Sequence, residues 1–163
     1  MNNLPLRQER FAKYISRRLK NHPNAKLLEV GCGRLGRLSK LLAKEGFLMT
    51  GIDPKLEVSS TDTIQFYKQK FDCKTAILDD YDYVIAQEPC DATKHILRAC
   101  LNQNKPVMIS LCGSPHKLIS GENPKDIYDW FDCLVNIAPD KLVFRWVEFD
   151  PFFKTPILIS KIF

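Results

Sequence analysis

Apolar residues along this chain fall into two kinds of run, and their order predicts the fold. Between Leu6 and Lys20, Leu6, Phe11, Ile15 and Leu19 recur at helical spacing, which predicts an amphipathic helix, and Asn21–Asn24 is the loop after it. Leu27–Val30 is a short apolar run of strand length. Leu35, Leu38, Leu41 and Leu42 return to the helical period, with Gly46 placed as the C-cap. Phe47–Ile52 is a second strand and stops at Asp53. Lys55–Thr63 is polar without helical period, so the crossover to a third strand, Thr63–Phe71, is too short for a full helix. Asp82–Ala86 is a fourth strand. Asp91 is placed to cap a helix over Ala92–Gln103, with Ile96, Leu97, Cys100 and Leu101 inward. Pro106–Leu111 is a fifth strand with the near-continuous apolar character of one covered on both faces, and Cys112–Gly121 is a loop. Asn123-Pro124-Lys125-Asp126 reads as a helix start with Asn123 as N-cap, turning Ile127, Trp130, Phe131 and Leu134 inward. Lys141–Phe149 and Thr155–Phe163, split by Asp150-Pro151, read as a hairpin. The expectation is one α/β domain over residues 1–163: a doubly wound, mainly parallel sheet, preceded by a helix and closed by an antiparallel hairpin.

The most informative stretch is Leu27–Pro54. A strand leads into a turn with Gly31, Gly33 and Gly36, then a helix, then a second strand ending on Asp53, 20 residues after Gly33. Glycines allow a tight turn and the close approach of a ligand, and the following helix points its free N–H groups at that ligand. An acid at the end of the second strand is placed to accept hydrogen bonds from the two hydroxyls of a ribose. This Rossmann-like unit predicts a ligand containing adenosine.

The same stretch resembles motif I of the class I S-adenosylmethionine-dependent methyltransferases, in which an acid stands two residues before the first glycine, here Glu29. The resemblance implies that Glu29 faces the methionine part of the cofactor, whose ammonium pairs with a carboxylate. Gly51-Ile52-Asp53-Pro54 is similar to the motif II region of that family. The implied cofactor-binding residues are Glu29, Gly31, Cys32, Gly33, Arg34, Gly36, Asp53, Pro54, Asp72 and Gln87, with Asp72 standing where the family often contacts the adenine amino group. Two features depart from the pattern. The family turn is GxGxG, whereas Leu35 holds the third glycine position and Gly36 follows it. After the fourth strand the chain reads Gln87-Glu88-Pro89-Cys90, so only Pro89 matches the Asn/Asp-Pro-Pro-aromatic signature of methyltransferases acting on amino groups of bases or glutamine. GxGxxG is the spacing of NAD-binding domains, and GCGRLGRL is also similar to the regulatory domains of potassium transport proteins. At the position of Glu29, however, NAD-binding domains are normally apolar, because a carboxylate would repel a pyrophosphate. The alternative for Glu29 is an exposed carboxylate at a strand end. The reading is an S-adenosylmethionine-binding methyltransferase of unknown acceptor. A catalytically silent cofactor-binding module and an NAD-binding protein are the alternatives. Glu88, as a general base, and His116, in the loop after the fifth strand, are the candidate catalytic residues.

Composition narrows the setting. The 163 residues are 45% hydrophobic and 26% charged, ordinary for a globular domain. No apolar run reaches the length of a membrane span and the first 20 residues lack a signal-peptide centre, so the expected location is cytoplasmic. Cys32, Cys73, Cys90, Cys100, Cys112 and Cys133 show no CxxC or Cys/His ligand spacing, which argues against zinc; most are expected to be small buried residues. Cys90 makes a poor nucleophile because no histidine is near it in sequence. A net charge of +5, with Arg7, Arg10, Lys13, Arg17, Arg18 and Lys20 on one side of the first helix, permits a nucleic-acid partner without requiring one.

Overall fold

A computed structural model describes residues 7–150 and 153–163; Leu6, Pro151 and Phe152 lie outside the described residues. Among them, seven strands form one sheet: β1 (Lys26–Val30), β2 (Leu48–Ile52), β3 (Ile64–Tyr67), β4 (Tyr83–Gln87), β5 (Val107–Ser110), β6 (Leu142–Asp150) and β7 (Phe153–Ser160). The spatial order is β3-β2-β1-β4-β5-β7-β6. The first five are mutually parallel, and β7 enters antiparallel between β5 and β6. The expected parallel sheet with a closing hairpin is therefore what the chain builds.

Period-two alternation sorts the strand side chains onto two faces. Leu28, Val30, Val84, Ala86, Val107 and Ile109 pack on one face with α3 (Thr93–Asn102) and α4 (Ile127–Asn136). Leu27, Met49, Ile85 and Met108 pack on the other with α1 (Arg7–Arg18) and α2 (Arg37–Lys44). In α1, Phe11, Ala12, Ile15 and the following Leu19 are buried, while Arg7, Lys13, Arg17 and Arg18 are exposed. Fixing β1 in this register carries Glu29, next after Leu28, to the α2 side.

Several boundaries differ from the expected ones. Leu35 is 43% exposed and precedes α2, whose first residue is Arg37. Gly36 is the N-cap at φ +55°, and a Cβ there would sit 2.4 Å from the Phe66 ring, so the third glycine is set by backbone hand and by packing. The third strand ends at Tyr67 rather than Phe71, and Asp72 lies five residues beyond its end, in coil. Asp91 does not cap α3: it lies in a single 3-10 turn, Cys90–Ala92, and Ala92 holds the N-cap position with no side-chain bond. Asp126, not Asn123, caps α4, its carboxylate accepting from the amides of Tyr128 and Asp129 at 2.9 Å. A nearby side chain that can reach two amides wins over the Asn-Pro pattern. No helix fills the β3–β4 crossover. Its coil is pinned by α3: the Leu78 amide donates to Gln103 Oε1, and Gln103 Nε2 donates to the Ala76 carbonyl, both at 2.8 Å.

Candidate active site

Gly31 and Gly33 follow β1 at φ +75° and +72°, and the amides of Gly31 and Cys32 donate to the Ile52 carbonyl. The turn is thereby stapled to β2. Its far side is held by Asp53, whose carboxylate accepts from the amides of Gly33 (2.9 Å) and Lys55 (2.7 Å). Asp53 is half-buried at the end of β2 and faces the cleft above the turn.

That cleft runs across the carboxyl ends of β2, β1 and β4 as two adjoining cavities that share Gly31, Asp53 and Glu88. One, of about 480 Å³, is lined by Glu29, the glycine turn, the first turn of α2 and Gln87. The other, of about 540 Å³ and more apolar, lies among Val30, Ile52, Pro54, Phe71, Pro89 and Cys90. Both volumes suit parts of a small-molecule ligand. Gly33 has open space where a Cβ would project, and Pro89 lies 3.5 Å from the Cβ position of Gly31.

Glu29 is 2% exposed, which overturns its reading as a solvated strand-end carboxylate. Ser39 Oγ donates to its Oε2 at 2.5 Å, and the Ser39 amide also reaches it. Burial pushes its carboxyl up to about 7, against the opposing pull of the Ser39 bonds; the Asp53 charge adds to the rise. No ion pair compensates Glu29 among the described residues, and a buried carboxylate lining a cleft is a group poised to meet a cationic ligand.

Other expected residues take different places. Cys32 packs beside Gly51, its sulfur 3.1 Å from where a Gly51 Cβ would project; burial, with Glu29 and Asp53 nearby, pushes its thiol up to about 12. It is a spacer rather than a reactive group. Arg34 is exposed and paired with Glu57 at 2.7 Å. Pro54 and Gln87 line the cleft, one in each cavity. Asp72 lines a third cavity that adjoins the apolar one through Ile52, Lys70 and Phe71, and its carboxylate accepts from the Lys74 amide. Glu88 is bound to Arg7 of α1 at 2.6 Å, so its carboxylate is engaged.

The segment after β4 holds what sequence reasoning missed. Glu88 (φ +48°) and Cys90 (φ +51°) both adopt the left-handed conformation that non-glycine residues avoid. A histidine does stand beside Cys90: the side chains of Cys90, Cys112 and His116 converge, their ligating atoms all within 4.8 Å of one another. Three of the six cysteines, Cys32, Cys100 and Cys112, are buried, fewer than expected, and Cys90 is exposed. The signal lay in the strand order, which sets the ends of β4 and β5 side by side although Cys90 and Cys112 are 22 residues apart. His95 is half-buried, its Nδ1 3.4 Å from Cys73 Sγ on the α3 side.

No family model matches the chain. A stretch of 109 residues is 31% identical to "Putative methyltransferase GWCH70_2453" of Geobacillus sp. (strain WCH70), and that match spans 53% of this chain but only 42% of the relative. Among solved structures, magnesium protoporphyrin IX methyltransferase from Synechocystis PCC 6803 with bound S-adenosylmethionine superposes with a TM-score of 0.60 at 17% identity, over 93% of this chain and 78% of the other. The plantazolicin methyltransferase BpumL in complex with S-adenosylhomocysteine gives 0.55 at 16% identity, over 94% and 82%. A Leishmania major S-adenosylmethionine-dependent methyltransferase gives 0.58 at 16% identity, over 94% and 70%. No helix among the described residues is long and apolar enough to cross a membrane. The chain has the class I S-adenosylmethionine-dependent methyltransferase fold.

Proposed function

We propose that this chain binds S-adenosylmethionine and transfers its methyl group to an acceptor. The observation that carries the reading is Glu29: a carboxylate 2% exposed, held by Ser39 at the floor of a cavity whose walls are the glycine turn and the first turn of α2. The methionine end of the cofactor fits there, its ammonium meeting Glu29 and its carboxylate the free amides at the start of α2. The adenosine end fits the more apolar cavity, with Asp53 at the junction accepting from the ribose hydroxyls and Val30, Ile52, Phe71 and Pro89 around the base. A pyrophosphate in place of the methionine would meet Glu29 and be repelled, which disfavours NAD. When bound, S-adenosylmethionine supplies an electrophilic methyl; the protein holds it in line with the acceptor and keeps water away.

The reading is tested by calorimetric titration with S-adenosylhomocysteine, with NAD and ATP as comparators. Selective binding of the first, weakened in Glu29→Ala, is the expected result. Preference for NAD or ATP, or indifference to Glu29, would sink it. A second reading, a cofactor-binding module without chemistry, is favoured by one observation: Glu88, the nearest acid to the acceptor side, is tied to Arg7. It predicts binding of S-adenosylhomocysteine without consumption of S-adenosylmethionine for any acceptor class. The nature of the acceptor, small molecule, peptide or nucleic acid, would be read from methyl incorporation into each.

A further inference from the structure

The 3-10 turn after β4 and the loop after β5 leave adjacent strands at the same edge of the sheet, and each brings soft ligand atoms to one point. Cys112 Sγ lies 3.1 Å from His116 Nε2, and Cys90 Sγ completes a trio within 4.8 Å. We propose that Cys90, Cys112 and His116 form a three-ligand site for a zinc-class divalent cation, with Asp91 as the carboxylate behind the histidine.

Three features support it. First, donor chemistry: two sulfurs and one imidazole are the set that selects zinc among common biological cations. With metal–sulfur bonds of about 2.3 Å and a metal–nitrogen bond of about 2.0 Å, the edges of a tetrahedron are about 3.5–3.8 Å. The Cys112–His116 spacing of 3.1 Å falls just short of that range and all three atoms lie within 4.8 Å of one another, so small side-chain rotations would admit the ion. Second, orientation: His116 turns Nε2 toward the sulfurs and Nδ1 toward Asp91 Oδ1, 3.6 Å away. In this order, carboxylate, imidazole, cation, an ion bound on Nε2 would leave Nδ1–H facing the carboxylate. The ring is further held edge-on against buried Trp130, with centroids 5.4 Å apart. Third, Cys90 is kept in a left-handed backbone conformation that a non-glycine residue adopts at a cost of about 1–3 kcal/mol. Three protein ligands leave a fourth position for water or a soft donor. Because Cys90 also lines the apolar cavity of the cleft, the ion would sit at the cleft's edge.

The site is tested with Co2+ as a spectroscopic probe on the full, reduced chain, alongside direct metal analysis of protein prepared in the presence of zinc. The expected result is one equivalent of Co2+ bound with a thiolate charge-transfer band and the visible bands of tetrahedral geometry, displaced by Zn2+. Cys90→Ser and His116→Gln should abolish that spectrum, and Asp91→Asn should weaken affinity about 10–100-fold. Cys133→Ser, at a cysteine outside the trio, should leave it unchanged. Cys90 is exposed, so its variant keeps the fold, and circular dichroism checks this; Cys112, being buried, is not the variant of choice. Absence of a thiolate–cobalt band in the reduced chain would overturn the proposal. So would a band that survives Cys90→Ser and His116→Gln, or a Cys90–Cys112 disulfide in protein prepared with zinc present. The readout is coordination, so it stands apart from whether S-adenosylmethionine binds.

Discussion

Replacing Glu29 with glutamine removes a buried charge while keeping the shape and an oxygen that accepts from Ser39. The carboxyl sits at about 7 in the folded chain against 4.5 unperturbed, and burial is the leading cause. A folded-state value raised above the unfolded one means the native state holds more protons between the two. Stability is therefore fully present below about pH 4.5 and is lost as pH rises toward about 7, beyond which the loss is constant. At about 1.4 kcal/mol per pH unit, burying Glu29 costs about 3 kcal/mol at pH 8, where it is ionised, and about 1 kcal/mol at pH 5, where the folded chain keeps it protonated. Glutamine stands for the protonated acid, so Glu29→Gln should stabilise the ligand-free protein at pH 8. For a chain of this length the shift is roughly 6–12 °C in Tm. The assay is thermal unfolding of both proteins across this pH range, reading the difference between them so that histidine titration cancels. A difference that does not shrink on acidification would refute the argument that Glu29 is an uncompensated buried acid. The same variant should bind S-adenosylhomocysteine about 10–100-fold more weakly, since it loses a charged partner for the ligand ammonium. Wild-type affinity should rise with pH up to about 7 and then level off, because the cation binds only the ionised acid; the variant should show no such rise. Stabilisation paired with weakened binding separates a functional carboxylate from a merely misplaced one.

Other outcomes follow from the same geometry. Gly36→Ala should destabilise by about 1–3 kcal/mol in urea unfolding, because a Cβ at φ +55° would lie 2.4 Å from the Phe66 ring. Gly33→Ala, with φ +72° but open space, should cost only about 1–2 kcal/mol in stability while its methyl projects toward the cleft and lowers ligand affinity in calorimetry. Gln103→Ala should cost about 1–3 kcal/mol and raise hydrogen exchange selectively over residues 76–81, whose coil loses both of its bonds to Gln103. Arg7→Ala breaks an ion pair whose arginine side chain is 76% exposed, so unfolding should shift by less than about 1 kcal/mol.

How much of this was legible in the sequence depends on the range over which each feature is encoded. The glycine turn, Asp53 and the alternating strands are local, and local spacing placed them. Glu29 was legible as an acid before a glycine, but its burial was not: that needs β1 in register with β2 and β4, and Ser39 of α2 folded over it. Helix starts were misplaced where two capping patterns competed, as at Asn123 and Asp126, because the choice rests on which side chain reaches an amide. The segment after β4 was least legible. Gln87-Glu88-Pro89-Cys90 matches the family signature only at Pro89, so Glu88 was read as a candidate base and Cys90 as a poor nucleophile. Folding gives both a partner from a distant segment: Glu88 meets Arg7 of α1, and Cys90 meets Cys112 and His116 from the loop after β5. The backbone strain at Glu88 and Cys90 belongs to the same segment, at the edge where the cleft opens. In a doubly wound sheet, binding groups are written next to the glycines of the first crossover. Groups contributed by the later loops are brought together by the strand order alone, and at the ends of β4 and β5 that order sets two sulfurs beside an imidazole, a convergence no spacing along the chain could show.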